Sequence, residues 1–456
     1  MTEKIKQWTE PELLFKIGTQ ERIVDPRVGL DKYGPFDYNN GERKFNEVRL
    51  ACISKETDLQ RMNILIQKLS NKYRPKGMGS QVEYKGFSEI YKTNVKPFLR
   101  ETTGLMANEE IAKVLNDKDP FQSIVNLYQS KIQEVQNRAK GKYDVLMIQV
   151  PRDFDNYQIS DGRDLRCYIK VLAVRKDIKT QIVTEKVLNP WDDCDNMWHL
   201  SVGLYTKAGG VPWTVRELST SLCFIGIAYG IKQGGAGQSI LSGLAEVFDE
   251  YGKHVSMYTI NCEAFGKDFT LETDRGYHLG KDKMKTLIEN VIGEYRKAIQ
   301  TSPKNVIIHK TTYFNQNEKE GVEEALEKDG TEYDLVYIQG YSSQRFLTAG
   351  RYPPERGTFW KKDDLTGILY TSGYVDEYRT YPGAGSPIPL ELHKDQGNTK
   401  IDILGKQVLA LTKMDWNSAS LMLRNPVTTK YAARVVDVLK AGLQADELVK
   451  DIRYYM

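Results

Sequence analysis

The densest run of groups able to hold an anion lies between Gly162 and Leu188. There Arg163, Arg166, Lys170, Arg175, Lys176, Lys179 and Lys186 face only Asp164, Asp177 and Glu185. Arg166 and Lys170 are four residues apart, so a helix puts both on one face, where like charges repel unless an anion lies between them. A solvated helix face is the competing reading. The glycine tract Gly230-Ile-Lys-Gln-Gly-Gly-Ala-Gly237 lacks the Gly-Lys-Ser/Thr ending of a phosphate loop and reads as a hairpin tip. His199, His254, His278, His309 and His393 never fall at i, i+4 or beside a paired cysteine, which leaves a histidine metal site unsupported, and His309 reads as a core residue ending an apolar strand. No Gly-x-Ser-x-Gly elbow is present. Tyr168, Trp213 and Trp416 could stack on bases or pack in a core.

Alternating strands and helices must position these groups, which points to an α/β fold with parallel sheet. Leu13-Leu-Phe reads as a short strand, and Asp25-Pro-Arg-Val-Gly-Leu30 and Tyr33-Gly-Pro-Phe36 read as turns. Strands are expected at Glu47–Ile53, Tyr143–Val150 and Thr180–Val183, with helices around Leu59–Leu69 and from Ile169 to Val174. A boundary falls near Leu188-Asn-Pro190. Beyond it come a helix from Trp198 to Lys207, a turn at Gly209-Gly-Val-Pro-Trp213 and the strand Cys223–Ala228. Met284, Leu287, Ile288, Val291, Ile292 and Tyr295 mark an amphipathic helix. Strands follow at Asn305–His309 and Leu335–Ile338, with helices at Lys406–Lys413 and Ala432–Leu443.

With 456 residues, two or three domains are expected. A hydrophobic fraction of 40% and a charged fraction of 27% exclude a mainly disordered chain. The net charge of +3 makes any nucleic-acid site a local feature. Five dispersed cysteines without a Cys-x-x-Cys pair argue against a disulfide framework and fit a reducing compartment. The opening residues lack an apolar signal core, and the longest apolar run, near Leu222–Ile231, is too short to span a bilayer. A soluble, cytoplasmic protein is expected.

In their order along nearly the whole chain, these pieces resemble a short prokaryotic Argonaute, made of MID and PIWI domains. The resemblance rests on Leu13-Leu-Phe with Asp25–Leu30 and Tyr33-Gly-Pro35, on Arg166-x-x-x-Lys170 with Thr180-Gln181, on Tyr205–Trp213, and on Leu411-Thr-Lys-Met-Asp-Trp-Asn417. It implies a Rossmann-like MID domain over 45–190 and an RNase H-like PIWI domain over 191–456, with residues 1–44 returning their opening strand to the PIWI sheet. It also implies that Arg166, Lys170, Gln181 and Lys207 bind the 5′-phosphate of a guide strand. Arg166 stands where some relatives carry tyrosine or histidine. A magnesium or other divalent ion at that phosphate, held by the Met456 carboxylate with Gln181, is a further implication.

PIWI nucleases need a tetrad of acids to hold two metal ions. The matching positions here are Ala228, Thr311 and Ala433, so the resemblance implies a guide-loaded binder that does not cut. RNA guide and single-stranded DNA target are its implied nucleic acids. An APAZ-containing protein with a TIR, sirtuin-like, nuclease or membrane-acting effector is its implied partner, switched on by target in defence against phages and plasmids. Two other readings stay open: a guided nuclease using acids such as Asp249, Glu250 or Asp334, and a two-domain α/β protein acting on small molecules.

Overall fold

Leu50–Ile53 at the centre of the strand Glu47–Lys55, and Val145–Ile148 in the strand Val145–Gln149, are uninterrupted apolar runs, the pattern of strands buried on both faces. They pair in parallel, Leu50 opposite Val145, and Thr180–Val183 adds a third parallel strand beside them. Asn94–Lys96 and Thr103–Met106 pair in succession along the far edge of Glu47–Lys55, also in parallel. Phe121, Ile124, Tyr128, Ile132 and Val135 on the helix Pro120–Ala139 cover one face of this sheet together with Ile169 and Ala173. The computed structural model describes residues 5–456, apart from 77–81, 217, 219–220, 234–238, 273–275, 382 and 384.

Among the described residues the second sheet has nine strands. A meander of Leu222–Gln233, Ser239–Phe248 and His254–Cys262 forms one side. Asn305–Lys310 lies parallel to Leu222–Gln233 on its other edge, and Glu332–Gln339 lies parallel to Asn305–Lys310. This is the RNase H-like order. Leu390–Gln396, Thr366–Leu369, Thr358–Lys361 and Ile5–Gln7 extend the sheet by antiparallel pairing. The Leu222–Gln233 hairpin is present, while its tip, the glycine tract from 234, lies outside the described residues.

Two expectations for the first 44 residues need correction. The strand that joins the large sheet is Ile5–Gln7, opposite Thr358–Trp360, whereas Leu13–Leu14 pairs with Thr214–Val215 in a separate two-stranded ribbon. Trp8 stacks on Phe359 at 4.4 Å just beyond the first pairing, an apolar anchor that three exposed strand residues could not announce. The stretch from Asp25 is a helix, Pro26–Tyr33, not a turn. Asp25 caps it by accepting from Arg27 N at 2.8 Å, Pro26 occupies the first turn, and Gly34 ends it at φ 77°. A proline after an aspartate starts a helix here, because the N–H it lacks is one that the first turn leaves unbonded in any case.

The helix Val427–Lys440 lies against Leu222–Gln233 and also meets the helix Leu165–Val174, so it connects the two halves. It approaches the strand closely because two glycines face it. A Cβ on Gly226 would stand 2.0 Å from Thr428 O, and one on Gly230 would stand 2.4 Å from Val436 Cγ1. Gly226→Ala is therefore expected to lower stability by about 3 kcal/mol, the upper end of overpacking costs, because the obstacle is backbone. Urea unfolding measures this, and an unchanged midpoint would contradict the packing.

Candidate nucleic-acid interface

Asp164 caps the helix Leu165–Val174 by accepting from Arg166 N at 2.9 Å, which fixes where the helix begins. Leu165, Ile169 and Ala173 face the core of the parallel sheet. Lys170 is only 4% exposed. Its Nζ donates to the main-chain oxygen of Met456 at 2.5 Å and to Thr180 O at 3.2 Å. Arg166, one turn earlier, is exposed and reaches the same cavity.

Lys207 arrives from the other side on the helix Asp193–Lys207, whose start is fixed by Asp192 accepting from Cys194 N at 2.8 Å. Lys207 is 1% exposed. Its Nζ donates to Gln181 Oε1 and to Asn417 Oδ1, each at 3.0 Å. Gly203, one turn before Lys207, keeps this crossing open: a Cβ there would lie 3.3 Å from Gln181 Oε1 and 3.5 Å from Lys207 Nζ. Gln181 sits on the strand Thr180–Val183, opposite Met147.

Arg166, Lys170, Gln181 and Lys207 thus line one cavity of about 110 Å³, together with Asn417, Arg434, Asp437, Tyr455 and Met456. Burial, then the charges of Lys207, Arg166 and Arg434, hold the Lys170 pKa well below the usual lysine range. Burial, then Arg434, brings Lys207 down to about 7, against a pull upward from Asp415. Clustered cations that are costly to charge in the cavity's low-dielectric surroundings make a site that an anion would relieve.

Asn417 and Arg434 were not among the expected site residues. Asn417 did lie in the quoted Leu411–Asn417 stretch, and Arg434 directly follows Ala433, but neither spacing nor charge tied them to Lys207. Arg434 Nη1 is buried without a hydrogen-bond partner. Asp415 organises this wall: it accepts from Asn417 N at 3.0 Å and Tyr431 OH at 2.9 Å, and it pairs with Lys430.

The expected cutting face lies on the second sheet. Ala228 is on Leu222–Gln233, between Gly226 and Gly230, and so shares their face toward Val427–Lys440. Thr311 follows the end of Asn305–Lys310, and Ala433 is exposed on the helix. His309 is buried, with Nδ1 2.9 Å from Thr428 Oγ1. On the opposite face Lys310 pairs with Glu318 at 2.5 Å, and Glu318 Oε1 accepts from Tyr229 OH at 2.8 Å. The alternative acids are engaged elsewhere. Phe248 pairs with Phe224, so Asp249 and Glu250 lie beyond the start of Leu222–Gln233, far along the strand from Ala228. Asp249 accepts from Tyr251 N and Lys253 N within a turn, and burial lifts its pKa to about 6. Asp334 accepts from Thr399 N at 3.0 Å and Thr399 Oγ1 at 2.6 Å. Among the described residues, no group of three or more His, Cys, Asp or Glu could hold a metal ion.

The aromatic candidates are structural. Trp213 is fully buried and donates to Lys413 O at 3.0 Å, Trp416 is buried, and Tyr168 packs edge-on against Phe121.

No family model matches the sequence. Curated proteins named Protein argonaute are similar to it. That of Aquifex aeolicus is 20% identical over 291 residues, covering 63% of this chain and 38% of that protein. That of Cereibacter sphaeroides is 21% identical over 430 residues, covering 90% and 52%. The chain therefore spans about half, or less, of the length of the curated relatives it matches. In fold it is similar to Clostridium butyricum Argonaute bound to a guide DNA and a 19-mer target DNA, with a TM-score of 0.73 at 18% identity over 100% of this chain and 55% of that one. The Aa-Ago structure with externally bound siRNA gives 0.66 at 18% identity, over 99% and 56%. Among the described residues, no helix is long and apolar enough to cross a membrane.

The buried lysines have a consequence for folding. Lys207 titrates near 7 when folded and near 10.4 when unfolded, so between these values the unfolded chain binds more protons. In that window its contribution makes stability rise with pH. Urea midpoints at neutral and alkaline pH should rise less steeply in Lys207→Met than in the parent; parallel slopes would contradict the charge assignment.

Proposed function

The chain is Argonaute-like in sequence and in fold, and from that premise we propose that it anchors the 5′-phosphate of a guide strand, pairs the guide with a complementary strand, and leaves that strand uncut. The observation that carries the proposal is the convergence of Arg166, Lys170, Lys207 and Arg434 on one small cavity, with Asn417 and Gln181 as neutral partners and Asp437 as an acidic one. A terminal phosphate offers up to two charges and several acceptor oxygens, which suit short charge-assisted hydrogen bonds from ammonium and guanidinium groups. Lys170 and Lys207 would exchange main-chain and amide oxygens for phosphate oxygens, and the Gln181 amide would turn its N–H to the ligand.

The oxygens of Gln181 and Met456 are the right type for a hard divalent ion, and both are held by lysine ammonium groups in the arrangement described. A magnesium ion there would require phosphate to draw the lysines away, and it would add charge neutralisation to the bound phosphate. Anchoring itself falls to the four basic side chains.

Two observations support the absence of cutting. The positions that the resemblance matches to the tetrad, Ala228, Thr311 and Ala433, carry no carboxylate, and the helix beside Ala228 is seated directly on two glycines. Hydroxyl and methyl groups do not replace the oxygen ligands that two-metal chemistry needs. The guide DNA and target DNA bound by the Clostridium butyricum protein support guide and target as ligand classes. RNA as guide, DNA as target, and an APAZ-containing effector protein as partner in defence are proposed on family resemblance. Base pairing would then choose the target, and the target-bound state would switch the partner.

Lys170→Ala and Gln181→Ala should each weaken binding of a 5′-phosphorylated oligonucleotide by about 1–3 kcal/mol, the cost of losing a charged hydrogen bond. Both should bring it close to the 5′-hydroxyl form. Equal affinity for the two ends in the parent chain would overturn the pocket assignment. With guide, complementary strand and Mg²⁺ or Mn²⁺, no product is expected from the parent or from Ala228→Asp/Thr311→Asp. A metal-dependent product from the parent would overturn the non-cutting assignment.

A further inference from the structure

We propose that the segment joining Glu332–Gln339 to Thr358–Lys361 is a second nucleic-acid contact, gripping the strand that pairs with the guide. The proposal rests on the guide-binding reading above. Its position comes from sheet register. Lys310 pairs with Tyr337 in parallel strands, so the chain beyond Gln339 leaves the sheet at the same end as Thr311. The segment therefore projects from the face over which a cutting centre would otherwise act.

Its first thirteen residues are basic, with the exposed acid Glu355 following them. From Gly340 to Tyr352 there are two arginines and no acid. The Arg345 guanidinium stands 5.6 Å from the Tyr341 ring centre, and that of Arg351 stands 5.7 Å from the Tyr352 ring centre. Tyr341 is 68% exposed and Leu347 is 94% exposed. Tyr352 in turn rests on Tyr374 at 5.0 Å. The pattern repeats, a flat cation beside an aromatic ring: Tyr341 and Arg351 are exposed, while Tyr352 and Arg345, which also donates to Ser342 O and Gln344 O, are half-buried. Guanidinium forks meet phosphate oxygens, and aromatic faces take stacked bases whatever their identity.

The segment is also held in shape. Phe346 sits 5.7 Å from Trp360 and 5.5 Å from Tyr370, and its N–H donates to Tyr370 OH at 2.8 Å. Arg424 donates to Gly340 O at its base, while Arg424 Nε is buried without a partner. Arg345 is close enough to repel Arg424, which adds to the draw for a polyanion. A protein partner would favour a broader apolar patch than these separate side chains provide.

The test uses the full chain loaded with a 5′-phosphorylated guide and a labelled complementary strand, titrated across a salt series. Arg345→Gln/Arg351→Gln should weaken the complementary strand by about tenfold and flatten the log–log salt slope by about 1.5, from two lost phosphate contacts. Tyr341→Ala should weaken it roughly fivefold or more with little change in slope. Guide loading, measured separately, should match the parent in all variants. Normal loading with unchanged complementary-strand affinity and slope would overturn the proposal, as would loss of a protein partner with nucleic-acid binding intact. A parent chain that fails to load the guide would overturn the reading beneath it.

Discussion

Holding two lysines in a buried cavity is the constraint on which the rest of the arrangement depends. Lys170 and Lys207 are each almost completely enclosed, and a buried ammonium group without an anion is expensive to keep charged. In the structure the cost is moderated by oxygen acceptors: Thr180 and Met456 main-chain oxygens for Lys170, and the Gln181 and Asn417 amides for Lys207. None of these is a side-chain carboxylate. The cavity is therefore better matched to an incoming anion than to its own interior.

That cavity belongs to neither half alone. Arg166, Lys170 and Gln181 come from the parallel sheet and its helix, Lys207 from the helix Asp193–Lys207, Asn417 from the loop organised by Asp415, and Arg434 from the helix seated on the large sheet. An anion in it would draw all of these together. The same helix that brings Arg434 to the cavity presses on Gly226 and Gly230 beside Ala228. The cationic cavity and the Ala228 side of the large sheet thus share one structural element, and a shift of that helix would be felt at both.

Much of this was legible in the sequence, for identifiable reasons. Continuous apolar runs announced Glu47–Lys55, Val145–Gln149 and Asn305–Lys310, and the three-to-four spacing from Met284 announced the long helix Lys281–Ile299. Arg166 and Lys170 were found by charge and spacing, whereas Gln181 and Lys207 came only from family resemblance, since no local pattern marks them. Asn417 and Arg434 were missed because their roles arise from tertiary contact. The helix Pro26–Tyr33 was missed because Asp25-Pro26 signals a turn and a helix start equally well. Of the two fates open to the aromatic residues, Trp213 and Trp416 take the core, and the exposed rings are Tyr341 and others whose exposure no period reveals.

The central claim is that burial holds the cavity's lysines below their usual range and that a terminal phosphate strengthens their hold on protons. Calorimetric titration of the chain with a 5′-phosphorylated oligonucleotide, in buffers of differing ionisation enthalpy at mildly alkaline pH, counts the protons taken up on binding. The account predicts net proton uptake, absent with the 5′-hydroxyl oligonucleotide. Binding of the phosphorylated strand with no proton uptake would contradict it.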